Sequence, residues 1–144
     1  MTQLDLFADY APRLAVLAAR PTTDRQIRGR VSYLAGLAAE DIVARDYARR
    51  GMPELARRWR GAGGEIDLIC RNGDGVVIVE IKKSTTFDRA AARLTRRQMD
   101  RIYATAGEFI ATMPRGQLTD VRLDLALVDA GAALRVIENA FWDA

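Results

Sequence analysis

Three side chains whose types suit work on a phosphate lie close together in the chain: Asp67, Glu80 and Lys82. They fall in two strand-like runs, Gly64-Glu65-Ile66-Asp67-Leu68-Ile69-Cys70-Arg71 and Val76-Val77-Ile78-Val79-Glu80-Ile81-Lys82-Lys83, joined by the turn residues Asn72-Gly73-Asp74-Gly75. Strand composition on both sides of such a cluster signals a hairpin. Closing it through residues 72–75 pairs positions whose numbers sum to 147, so Asp67 faces Glu80 and Glu65 faces Lys82. Alternation then sends Glu65, Asp67, Glu80 and Lys82 to one face, and Ile66, Leu68 and Cys70 with Ile81, Val79 and Val77 to the other. Two carboxylates directly opposite each other lie roughly 4.5–5.5 Å apart at Cβ and repel. A divalent cation held by hard oxygens would compensate them, and Lys82 would reach a phosphate or an attacking water. A solvated face with a Glu65–Lys82 pair accounts for the same residues without chemistry.

Composition narrows the choices. The chain has no histidine and one cysteine, which excludes Ser-His-Asp and Cys-His catalysis and the histidine-rich zinc and iron sites. Carboxylate-bound Mg²⁺ or Mn²⁺ is the metal chemistry left. Cys70 has no partner for an internal disulfide, which fits a reducing cytoplasm, and is expected in the core. No long apolar run predicts a membrane span, and the start lacks the pattern of a signal peptide. The net charge is +3, unevenly spread. Arg49, Arg50, Arg57, Arg58 and Arg60 face one acid, Glu54, across residues 49–60; Arg89, Arg93, Arg96, Arg97 and Arg101 face only Asp100 across residues 89–101. Arginine favours bidentate phosphate contacts, so two such stretches beside carboxylates suit a nucleic-acid groove. Solvated helix and strand surfaces are the plain alternative.

The elements that must position these groups follow from periodicity. From about Arg30 to Arg50 the spacing of Tyr33, Leu37, Ala44 and Tyr47 predicts a helix, with Glu40 inside its apolar stripe. A carboxylate there needs a partner, either an arginine or the cation between Asp67 and Glu80. Gly51-Met52-Pro53 ends that helix. Residues 55–60 predict a first strand with Leu55, Arg57 and Trp59 on one face, Trp59 being a core or rim residue. Residues 61–64, Gly-Ala-Gly-Gly, read as a flexible turn. The loop of residues 84–88 could close over substrate, and residues 89–113 predict one long helix burying Ala91, Leu94, Ile102, Ala106, Phe109 and Met113. Gln98 is polar within that stripe and is read either as a contact to water or phosphate or as a partner for a backbone group. Residues 121–128 alternate as a strand, with Arg122 and Asp124 as same-face neighbours expected to pair structurally, and residues 134–137 add a last short strand. The order predicts an α/β fold with a mixed sheet of about five strands flanked by helices, the 89–113 crossover letting the fourth strand run parallel to the third.

Several stretches occur together in order: Gly36-Leu37-Ala38-Ala39-Glu40, the Gly64 to Ile69 run, Val79-Glu80-Ile81-Lys82, Gln98, Val121-Arg122-Leu123-Asp124 and Glu138-Asn139-Ala140-Phe141. In these the chain resembles the YraN family, uncharacterised proteins similar to Holliday-junction resolvases and restriction-endonuclease-like nucleases of the PD-(D/E)xK type. The resemblance covers about residues 30–141. It leaves residues 1–29 as an extension, with a short helix expected near residues 10–20 and a turn or helix start at Thr22-Thr23-Asp24, and makes 30–144 the nuclease-like domain. It implies a restriction-endonuclease-like core and places Asp67, Glu80 and Lys82 on the nuclease motif, Glu40 on the acidic residue of the first helix, and Gln98 near the site. On that basis Asp67 and Glu80, assisted by Glu40 and the Ile81 carbonyl, are expected to hold Mg²⁺ or Mn²⁺, with Lys82 orienting the attacking water. Arg57, Arg58, Arg60, Lys83, Arg93, Arg96 and Arg97 are expected to meet nucleic acid, DNA by preference and branched or junction forms among it. A homodimer suits a substrate with paired strands. A nucleic-acid-binding protein that keeps the fold without turnover is the competing expectation.

Overall fold

The computed structural model describes residues 23–140, and the chain divides between residues 35 and 36 into two units. In the first unit a helix begins at Asp24. Thr23 and Gln26 form a reciprocal cap: the Gln26 N–H donates to Thr23 Oγ1 at 3.1 Å, and the Thr23 N–H to Gln26 Oε1 at 3.2 Å. This cap starts α1 (Asp24–Arg49) earlier than the apolar stripe alone predicts. The expected helix near residues 10–20 lies outside the described residues.

The second unit is a five-stranded sheet in the order β1-β2-β3-β4-β5, built from β1 (Glu54–Arg60), β2 (Glu65–Asn72), β3 (Gly75–Lys83), β4 (Val121–Val128) and β5 (Leu134–Ile137). Neighbours are antiparallel except β3 and β4, which are parallel. The crossover holds α2 (Phe87–Ala92) and α3 (Arg96–Ile110), followed by a 3₁₀ turn over Gly116–Leu118. The result is α/β with a mixed sheet flanked by helices, which agrees with the expected restriction-endonuclease-like core. Val76, Val77, Ile78 and Val79 are all essentially buried because β3 is central and covered on both faces.

Two apolar layers sandwich the sheet. Val43, Ala44 and Tyr47 of α1 pack with Leu68, Cys70, Val77, Val79 and Ala126 on one face. Ile102, Ala106, Phe109 and Ile110 of α3 pack with Ile66, Ile69, Ile78, Leu123 and Leu125 on the other. Cys70 is buried, and burial, reinforced by the Glu54 charge, pushes its thiol up to about 12. Trp59 meets Phe109 edge-on, with ring centroids 5.3 Å apart, and is a partly buried residue at the rim of the core, within the expected core-or-rim placement.

Three local expectations change. Crossover residues 89–113 form two helices instead of one: Thr86 caps α2, and Thr95 with Gln98 makes a capping box that opens α3. In β1, Ala56 and Trp59 pack on the α3 layer, while Leu55 is exposed and Arg57 reaches α1, so Leu55, Arg57 and Trp59 do not share a face. In β2, Ile66 and Ile69 belong to the α3 layer and Leu68 and Cys70 to the α1 layer, so Ile66 does not sit with Leu68. The β1–β2 register also shifts between Glu54 and Ala56, at Leu55. Arg58 has a left-handed backbone, φ 51°, in the middle of β1, and strict alternation breaks there and at the facing residue of β2.

Arg122 and Asp124 pair structurally, as expected. Arg122 donates to both oxygens of the fully buried Asp124, each at 2.9 Å, and the Tyr47 hydroxyl donates to Oδ2 at 2.6 Å. The Asn139 N–H donates to Oδ1 at 3.0 Å. Burial and its hydrogen bond to Asp124 push the Tyr47 phenol far above its usual value.

Candidate functional site

The β2–β3 register is the one the turn predicts, Leu68 against Val79 through Asn72 against Gly75. The ladder stops at Leu68 and Val79, just before the two acids. Beyond it β3 keeps pairing with β4 as far as Lys83 against Val128. The sheet therefore opens on one side of β3 from Glu80 onward. Asp67 spans the opening, its Oδ2 accepting the Ile81 backbone N–H at 2.8 Å. A side chain has taken the place of a strand's carbonyl.

That hydrogen bond puts the Asp67 carboxylate against Glu80. Glu80 is nearly buried, its side chain 12% exposed, and Lys82 Nζ lies 3.5 Å from its Oε1. Burial raises the Glu80 pKa first, and the charge of Asp67 and a hydrogen bond to it raise it further; Lys82 offsets part, leaving it at about 8. Two carboxylates this close disfavour ionising together, and burial adds to that for Glu80. Glu65 pairs with Arg60 at 2.9 Å and not with Lys82. The plain account of this face, a Glu65–Lys82 surface pair, is replaced by a desolvated Asp67–Glu80–Lys82 cluster.

Glu40 has the arginine partner. Its Oε1 accepts Arg58 Nε at 2.8 Å, and its Oε2 is buried without a hydrogen-bond partner among the described residues. Among those residues no three acidic, histidine or cysteine side chains form a group able to hold a metal ion. The structure thus joins Asp67, Glu80 and Lys82, while Glu40 rests with Arg58.

Gln98 serves the α3 cap, Oε1 accepting the Thr95 N–H at 3.2 Å, and also lines a cleft of about 180 Å³ with Gly64, Glu65, Glu80, Arg101 and Ile102. The hydrogen bond agrees with the reading of Gln98 as a partner for a backbone group. Arg101 is the cleft residue that sequence reasoning did not single out. The signal was available, since it stands three positions after Gln98 and helical neighbours at that spacing share a face.

The glycine turn at the rim is clamped. The Gly61 N–H donates to the Gly64 carbonyl at 2.9 Å, and the Glu108 carboxylate of α3 accepts from the N–H groups of Ala62 and Gly63 at 2.9 and 3.3 Å. A Cβ on Gly61 would overlap that carboxylate, and Gly64 has φ 150°. These glycines let the turn press onto α3.

The expected nucleic-acid contacts divide. Arg57 is held by Glu54 and Asp41; burial pulls its pKa down, but these hydrogen bonds outweigh it and the net shift is upward. Arg58 is held by Glu40, and Arg93 donates to the Lys83 carbonyl at 2.8 Å. Arg60 and Arg96 are largely exposed in surface pairs with Glu65 and Asp100, and Arg97 is exposed. The half-buried Lys83 follows Lys82 on β3.

Fold and site together define a class: an α/β protein whose mixed sheet parts beside its central strand around an Asp, a Glu and a Lys. The chain belongs to UPF0102, an uncharacterised protein family, whose model matches residues 39–128; this is the family to which the YraN resemblance points. A UPF0102 protein of Cereibacter sphaeroides is 62% identical over 113 residues, 78% of this chain and 97% of the relative. One from Ruegeria pomeroyi is 57% identical over 114 residues, covering 79% and 93%. One from Dinoroseobacter shibae is 46% identical over 115 residues, covering 80% and 86%. No described helix is long and apolar enough to cross a membrane.

Proposed function

We propose that this protein is a Mg²⁺- or Mn²⁺-dependent endonuclease that hydrolyses phosphodiester bonds in DNA. The observation that carries the reading is the desolvated pair Asp67–Glu80 with Lys82 beside it, where β2 leaves β3. The residues fit a hard cation: two carboxylates and the Ile81 carbonyl are oxygen donors, and the repulsion between the two close acids is what a cation would relieve. Such an ion, when bound, stabilises charge on a phosphate and lowers the pKa of a water. Asp67 is fixed for this role by the Ile81 N–H. Lys82, anchored by Glu80, donates to the phosphate or the attacking water. Gln98 and Arg101 line the cleft that leads to Glu80, and Arg60, Arg96 and Arg97 supply sequence-independent attraction.

Metal-dependent nicking of supercoiled and junction DNA by the purified protein tests this. Lys82→Ala is expected to remove most cleavage and keep Mn²⁺ binding, because an ammonium donates and does not ligate. Asp67→Asn is expected to lose both. Full cleavage by both variants would refute the mechanism. A DNA-binding protein without turnover is the second reading, favoured by the Arg58–Glu40 pair, which leaves two carboxylates at the centre. Metal-independent, salt-sensitive DNA binding with no nicking would establish it.

A further inference from the structure

We infer that Arg58 is a positioning residue whose left-handed backbone turns Asp67 into the opening between β2 and β3. In the β1–β2 ladder Arg57 faces Leu68 and Trp59 faces Ile66, which sets Arg58 across from Asp67. Arg58 has φ 51°, a region that side-chain-bearing residues other than Asn and Asp seldom enter. On either side of this point the faces exchange. Ala56 and Trp59 of β1, three residues apart, pack on the same layer, as do Ile66 and Ile69 of β2. A regular strand cannot do this, since residues an odd number apart face opposite ways. Asp67 is the residue at which β2 crosses over. At the crossing its side chain reaches along the sheet towards β3, where Oδ2 takes the Ile81 N–H at 2.8 Å.

The Arg58 side chain supports the same turn. Its Nε bonds the buried Glu40 at 2.8 Å, tying the strained residue to α1 behind the sheet. A strained backbone persists where its surroundings hold it. The charge pair and the Trp59–Phe109 contact at the next residue are two such holds. A regular β1 would return Ile66 to the layer of Leu68 and point Asp67 at α3, away from the Ile81 N–H.

The test separates backbone from side chain. In a Glu40→Gln background, which spares an unpaired buried carboxylate, position 58 is changed to Gly, Asn, Ala and Val. Gly and Asn accept the left-handed region; Ala does so poorly and Val worst. The first readout is the Ile81 amide in ¹⁵N-resolved spectra, without metal. Gly and Asn variants are expected to keep its shift and slow exchange. The Val variant is expected to exchange at least tenfold faster at Ile81, with the amides of Cys70 and Val77, further along the hairpin, unchanged. If the Val variant does not fold, the same comparison between Ala and Gly decides. Equal Ile81 exchange in the Gly variant and in Val (or Ala), or a uniform change across the hairpin, would overturn the inference. The second readout rests on the proposed cation site: Mn²⁺ is expected to bind at least tenfold more weakly to the Val variant than to the Gly variant. If the unsubstituted protein itself binds no Mn²⁺, the cation-site reading fails, while the Ile81 amide still decides the role of Arg58.

Discussion

Replacing Glu80 by glutamine should stabilise the metal-free protein, increasingly so as the pH rises. The Glu80 pKa is raised from an ordinary 4.5 to about 8 by burial and by Asp67. Below the lower value both folded and unfolded chains carry the proton, so the group contributes no pH dependence. As pH rises through the lower value the unfolded chain releases its proton while the folded one retains it, and the folded state loses up to about 1.4 kcal/mol per pH unit. The loss ends near pH 8, where the folded carboxyl ionises. The span between the two values sets an upper limit of about 5 kcal/mol. An effective dielectric constant of about 20 reduces it, so we expect a gain of about 2–4 kcal/mol for Glu80→Gln at pH 9 and little at pH 4. The variant leaves one carboxylate, Asp67, beside one ammonium and preserves the shape of the pair. Urea unfolding in EDTA at pH 4, 7 and 9 measures it. Mn²⁺ at about 100 times its dissociation constant should add about 2.7 kcal/mol to the unsubstituted protein and much less to the variant. Parallel pH profiles for the two proteins would show that Glu80 is not the strained acid.

Asp124→Ala should destabilise the fold by about 3–5 kcal/mol in urea unfolding, because it strips a half-buried guanidinium and the Tyr47 hydroxyl of their shared acceptor; Tyr47→Phe should lower stability by about 1–2 kcal/mol. Gly61→Ala should displace Glu108 and hand the Ala62 and Gly63 N–H groups to water, costing about 0.5–1.5 kcal/mol, the net worth of a hydrogen bond; a thermal shift equal to that of a surface Ala substitution would count against the clamp. A combined Arg96→Ala and Arg97→Ala variant should lower the slope of log K against log salt for duplex DNA by roughly 0.9 per lost phosphate contact, with no change in sequence preference. An unchanged slope in fluorescence anisotropy would show that this helix surface meets only solvent.

The hairpin, its register, the parallel fourth strand and the Arg122–Asp124 pair were legible because each follows from local rules that tertiary packing reinforces. The capping box was also written in the chain, as Thr95-Arg96-Arg97-Gln98, but the apolar stripe running through residues 91–113 overrides it in a reading based on periodicity alone. The face exchange in β1 and β2 was not legible. Left-handed φ is announced by Gly, Asn or Asp, and an arginine announces nothing. For the same reason the edgewise turn of Asp67 was hidden: cross-strand pairing of Asp67 with Glu80 follows from the register, but the early end of the ladder depends on β1, two strands from Glu80. Charge counting found the arginine stretches and could not tell Arg57, committed to Glu54 and Asp41, from Arg97 at the surface. That distinction depends on which acids the fold brings alongside.

Asn139 lies beyond all five strands, yet its N–H is one of the groups that satisfy the wholly buried Asp124 carboxylate. Glu138, next to it, stands 3.3 Å from Arg50 and 3.7 Å from Arg122, and the Ala140 N–H bonds the Leu123 carbonyl. A chain cut or fused within residues 138–140 keeps every described strand, and Arg122 and Tyr47 still reach Asp124, but the buried carboxylate loses its backbone donor and Arg50 and Arg122 lose an outer acid. Such an end loosens the sheet around β4 without touching the cleft.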